Sequence, residues 1–147
     1  SLNLKVCEYN CRVRDPETQP VMLRLKSDLI EMIQTCFSGS ISHFKVEWDQ
    51  KSAMGVVMSS IGYPESYETG KEIFGLDRLT ERKGIKVFHS GTRIENNDVL
   101  TNGGRVLCVT ALGDDLKQSN QNAYSAVEEI DWDGKYFRKD IGFRVIK

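Results

Sequence analysis

The chain has 147 residues, 39% of them apolar and 28% charged, with a formal net charge of −1. That length holds one ordinary domain or two small ones, and the composition can bury a core, which excludes a globally disordered chain. The near-neutral balance gives no global pull toward nucleic acid or acidic membranes, and no apolar run nears the roughly 20 residues that span a bilayer.

Ser1-Leu2-Asn3-Leu4-Lys5 lacks a charged start followed by an apolar stretch, so no signal peptide is expected. There are four cysteines, Cys7, Cys11, Cys36 and Cys108. Cys7-x3-Cys11 resembles half a zinc site, but no second cysteine pair or paired histidines complete it. Free thiols in a cytoplasmic protein are the reading that remains.

In chain order, residues 4–13 read as a strand. Asp15-Pro16-Glu17 signals a helix start, with Asp15 as N-cap and Pro16 in the first turn. Met22, Leu25, Leu29, Met32, Ile33 and Cys36 recur at helical spacing, which predicts one helix to about Phe37, stopped at Gly39. Residues 53–60 form a mostly apolar strand, and Gly62-Tyr63-Pro64 punctuates a loop. A short strand follows over 85–88. Residues 92–94 and 98–101 flank a tight hairpin turn, and Asn102-Gly103-Gly104 turns into a strand over 105–111. Asp114-Asp115 caps a last helix whose apolar side is Leu116, Ala123, Val127 and Ile130. Residues 136–143 read as extended. The predicted class is α+β: a strand–helix piece over 1–45, then a β-rich unit with one helix over 46–147. The first piece is too small to hold a core alone.

On a strand, Glu8, Asn10 and Arg12 share one face. Carboxylate and amide oxygens are hard ligands suited to magnesium, and an arginine beside them can hold a phosphate or carboxylate through two hydrogen bonds. The plain alternative is a solvated face with a Glu–Arg pair. Arg14, Asp15 and Glu17 add charge of both signs at a helix start, where charged ligands bind readily.

Glu8-Tyr9-Asn10-Cys11-Arg12-Val13-Arg14-Asp15-Pro16-Glu17-Thr18-Gln19 resembles the signature Glu-Phe-Asn-x-Arg-Phe-Gly-Asp-Pro-Glu-x-Gln of the phosphoribosylamine–glycine ligase (glycinamide ribonucleotide synthetase) family, ATP-grasp enzymes of purine biosynthesis. Further segments follow in family order: Gly62-Tyr63-Pro64, Val87-Phe88-His89-Ser90-Gly91-Thr92, Gly103-Gly104-Arg105-Val106-Leu107 and Tyr136-Phe137-Arg138-Lys139-Asp140-Ile141-Gly142. Each motif is weak alone; their order makes the resemblance specific.

The resemblance implies the end of an ATP-grasp domain followed by a small barrel-sandwich-like C-terminal domain. It implies an ATP-dependent C–N ligase that joins glycine to 5-phosphoribosylamine through a glycyl phosphate, with magnesium or manganese as cofactor and ATP as co-substrate. Glu8 and Asn10 take the metal-ligand positions. Arg12 and Asp15 fall near the reacting groups as catalytic candidates, and with Glu17, Gly104 and Arg105 as substrate contacts. His89 reads as a hydrogen-bonded or packed histidine, since no catalytic partner for it is visible. Arg14 departs from the family glycine and places bulk and charge at the site's edge. The resemblance covers only the last third of the family's chain, so the partners are the small-molecule substrates together with missing N-terminal domains, and the chain alone is expected to be inactive. A non-catalytic β-rich interaction domain, or part of another ATP-grasp purine ligase, are the alternatives.

Overall fold

The computed structural model of the protein describes residues 5–146. Strands β1 (Ser52–Ser60) and β5 (Arg105–Gly113) pair antiparallel at the centre. β5 is apolar at nearly every position, as a strand covered on both faces must be. Strand β2 (Ile85–His89) adds to the outer side of β5. Strand β6 (Lys135–Phe137) adds to β1, giving the sheet order β2-β5-β1-β6. Strands β3 (Thr92–Glu95) and β4 (Asp98–Thr101) form a separate hairpin. Its two-residue turn, Asn96-Asn97, has φ of 50° and 76°, the left-handed backbone such a turn demands and asparagine tolerates. Among the described residues the sheet is open and no barrel closes.

Directly opposed residues of an antiparallel pair lie on one face. Met54/Ala111, Val56/Val109 and Met58/Leu107 therefore share a face. Helix α3 (Leu116–Glu129) covers it with Ala123, Ala126 and Val127, all fully buried, while Ile130 at the helix end completes the layer. Asp115 is the N-cap, its side chain accepting the Gln118 N–H. Leu116, expected on the apolar side, is half-exposed.

The opposite face carries Ala53/Leu112, Gly55/Thr110 and Val57/Cys108. Helix α1 (Thr18–Arg24) lies on it. Gly55 is the reason it can: a Cβ there would stand 2.9 Å from Cγ of Pro20. The Asp15 carboxylate acts on the Cys108 thiol from this side. Burial, with Asp15 adding to it, pushes the thiol up to about 12, so Cys108 is inert as a nucleophile at neutral pH.

Four expectations are corrected. Residues 5–13 adopt no regular secondary structure; Leu4, where the strand was to begin, lies outside the described residues. A strand needs a neighbour to satisfy its backbone, and none pairs here among the described residues. The single helix to Phe37 is two helices, α1 and α2 (Leu29–Phe37). Leu25 turns extended and bridges to Trp48. Asp28 then caps α2 by accepting from the Ile30 and Glu31 N–H groups. Asp15 is not an N-cap; Glu17 holds that position and Thr18 opens the helix. The stop at Gly39 stands, with φ of 72° just past the last turn. In the tail only Lys135–Phe137 pairs as a strand. Beyond it the chain turns at Gly142, whose φ is 84°.

Candidate active site

The site is assembled on the α1 face of the sheet. Between Met58 and Ser59 the β1–β5 register shifts, so that Ser59 opposes Arg105 rather than Val106. Such a bulge re-aims the side chains beyond it. Strict alternation from Cys108 would place Arg105 on the α3 face. The extra residue turns it to the side of Val57, Ser59 and α1. Gly104, just before it, is buried because the Tyr63 ring lies on it; a Cβ at Gly104 would stand 2.0 Å from that ring. Glycine is needed here for close approach, not for backbone conformation.

Asp15 precedes α1 and meets Arg105 across this face, Oδ2 to Nη1 at 3.0 Å. Its other oxygen, Oδ1, accepts a hydrogen bond from Gln19 Nε2. Asp15 and Gln19 are four residues apart, the spacing that lets such a pair meet across one turn. Beside the ion pair runs a groove of about 430 Å³ whose walls include Pro16, Val57, Tyr63, Arg105 and Phe137. The arrangement sets a guanidinium in the wall of a largely apolar groove, backed by the Asp15 carboxylate, which suits a ligand with an anionic end.

A second polar cluster lies on the preceding segment. Asn10 Nδ2 donates to Glu8 Oε1 at 2.8 Å. The Arg14 guanidinium donates to Asn10 Oδ1 and lies 3.7 Å from Glu8 Oε1. Two hard oxygens thus already converge on one positive group. Arg14 has no positive φ, so the backbone accepts arginine where the family has glycine. Its N–H donates to Glu17 Oε1 at 2.8 Å. Arg12 is exposed.

The structure therefore brings together Asp15, Gly104 and Arg105, and separately Glu8 and Asn10. Among the described residues no hydrogen bond or ion pair joins the two groups. Sequence reasoning gave Gln19 and Tyr63 no place in the site. The Asp15–Gln19 spacing was a legible signal, whereas the seating of Tyr63 on Gly104 was not. His89 Nδ1 is 3.0 Å from Thr92 Oγ1, a hydrogen-bonded surface histidine.

Residues 53–144 match the family described as Phosphoribosylglycinamide synthetase, C domain, and the chain belongs to that family. Two relatives are each named phosphoribosylamine–glycine ligase. The one from Vibrio cholerae is 48% identical over 142 residues, covering 97% of this chain and 33% of the relative. The one from Escherichia coli K12 is 49% identical over 146 residues, covering 99% of this chain and 34% of the relative. The crystal structure of phosphoribosylamine–glycine ligase from Thermotoga maritima superposes with a TM-score of 0.68 at 31% identity, covering 92% of this chain and 32% of that one. The chain thus spans about a third of the length of the curated relatives it matches.

Proposed function

We propose that this chain is the C-terminal third of an ATP-dependent ligase that joins glycine to 5-phosphoribosylamine, giving glycinamide ribonucleotide, ADP and phosphate in purine biosynthesis. On this reading, residues 1–45 end an ATP-grasp domain and 46–147 form the C-terminal domain that helps to close the site. The observation that carries it is the Asp15–Arg105 pair: residues from two of the segments that carry the family resemblance meet at 3.0 Å, although 90 positions separate them.

The chemistry runs in two steps. A glycine carboxylate oxygen attacks the γ-phosphorus of ATP, the bond to the bridging oxygen breaks, and ADP leaves. The amine of phosphoribosylamine then attacks the acyl carbon, phosphate departs and the nitrogen loses a proton. Arg105 holds an anionic group of phosphoribosylamine through its donor fork, as guanidinium recognises phosphate. Arg12 faces the phosphate side of the acyl phosphate, Asp15 accepts from an amine, and Glu17 completes the polar rim.

The donor set fits a divalent cation in part. Glu8 Oε1 and Asn10 Oδ1 are both turned toward the Arg14 guanidinium, so two hard oxygens converge on one cationic group. Glu8 and Asn10 would hold magnesium or manganese, with phosphate oxygens and water completing the shell. Magnesium, when bound, neutralises charge that develops on the transferred phosphoryl group. The half-exposed Arg14 side chain would have room to leave those oxygens to a metal.

Among the described residues no helix is long and apolar enough to cross a membrane. We place the ligase in the cytoplasm, working on small molecules rather than on nucleic acid or a membrane.

The test is ADP release. The full-length protein is expected to release ADP only when ATP, glycine and phosphoribosylamine are all supplied. This chain alone is expected to release none, because two metal ligands on one segment cannot hold ATP. Substrate-dependent turnover by the chain alone, or none by the full-length protein, would overturn the assignment.

A further inference from the structure

We infer that Gln19 is a positioning residue that holds the Asp15 carboxylate in register with Arg105. The inference rests on the ligase reading above. The two oxygens of Asp15 are divided between partners from different elements. Oδ1 takes the amide N–H of Gln19 on α1. Oδ2 takes Arg105 on β5, at 3.0 Å. A carboxylate with only the arginine would be free to rotate and engage the guanidinium through both oxygens, occupying the donor fork that a substrate anion needs. With Oδ1 held by Gln19, Asp15 meets Arg105 through Oδ2, and Arg105 itself lines the groove.

The orientation of the Gln19 amide supports this role. Only its nitrogen can donate to a carboxylate, so its carbonyl must point away. That oxygen, Oε1, is buried and has no hydrogen-bond partner among the described residues. A buried acceptor without a partner destabilises the fold. An apolar side chain of similar length would fill the space without that cost, but could not hold Asp15. The residue at this position is thus poorer for stability than an apolar one and better for the site, the mark of a residue held for function.

The experiment compares Gln19→Met with wild type in the full-length ligase. The thermal midpoint should be unchanged or raised, because the orphaned acceptor is gone. The KM for phosphoribosylamine should rise about tenfold, the loss expected when one charge-assisted hydrogen bond is removed. The KM for ATP should stay within about twofold, since the pair is assigned to phosphoribosylamine and not to ATP. Gln19→Glu is the companion variant. It keeps the shape but sets a carboxylate against Asp15, so the KM for phosphoribosylamine should rise further. Wild-type KM in both variants, or a lowered midpoint with every KM unchanged, would overturn the positioning role. An active wild type with unaltered variants removes this inference alone. A full-length wild type without ligase turnover removes the ligase reading and this inference together.

Discussion

Glu8→Gln or Asn10→Ala in the full-length protein lowers ligase turnover by more than about a hundredfold and leaves the thermal midpoint unchanged. Both side chains are exposed on a segment without regular structure. They contribute little to folding, so a loss of activity reports chemistry and not unfolding. The size follows from the role. A divalent cation on a transferring phosphoryl group supplies several kcal/mol of charge stabilisation, and about 1.4 kcal/mol corresponds to each tenfold in rate. Weakening one of two protein ligands removes enough of that for a fall of about two orders of magnitude. Steady-state ADP release with a metal titration checks it. Glu8→Gln should regain part of its rate at high magnesium. A Glu8 or Asn10 variant with near-normal turnover at low magnesium would show that these oxygens are not metal ligands.

Arg105→Met raises the KM for phosphoribosylamine by about a hundredfold, with the KM for ATP little changed. Methionine keeps much of the stem but removes the charge-assisted hydrogen bonds to an anion, a loss of about 2–3 kcal/mol for such a group. The Asp15 it leaves behind has a side chain only 27% exposed, yet enough solvent reaches it to limit the cost in stability. Initial rates against varied phosphoribosylamine, glycine and ATP separate the three constants. An equal rise in all of them would place Arg105 in the scaffold and not at the substrate.

The sheet was legible where its residues obey simple periodicities. The apolar stretch over Ser52–Ser60, the Asn96-Asn97 turn and the Asp115 cap each follow from local chemistry that the structure retains. The break between α1 and α2 was also written locally: Asp28-Leu29-Ile30-Glu31 has the capping spacing, and Asp28 does cap. An apolar stripe running across the break concealed it, because hydrophobic spacing persisted through Leu25 and Leu29. The segment before Asp15 reads as a strand from its side-chain pattern. Pattern alone cannot supply the neighbouring strand that its backbone requires.

The site was half legible. The residue types and their order pointed to Glu8 and Asn10, which meet locally, and to Asp15 and Arg105, whose meeting is non-local. Arg105 reaches the α1 face because of the bulge that leaves Val106 unopposed, and α1 reaches the sheet because Gly55 leaves room for Pro20. Both features depend on pairing register, which single-chain periodicity does not encode. The Arg14 substitution illustrates the same limit. From sequence it threatened the turn. In the structure the backbone accepts it, and its charge settles on Glu8 and Asn10.

The central claim, that Glu8 and Asn10 form the metal edge of a ligase site, is tested most directly by locating the metal. Crystals of the full-length protein with manganese and a non-hydrolysable ATP analogue would be measured at the manganese absorption edge. The anomalous map should place a manganese ion about 2.0–2.3 Å from an oxygen of Glu8 and an oxygen of Asn10, with the Arg14 guanidinium displaced. A manganese ion bound to the nucleotide but held by other side chains, with Arg14 still bridging Glu8 and Asn10, would contradict it.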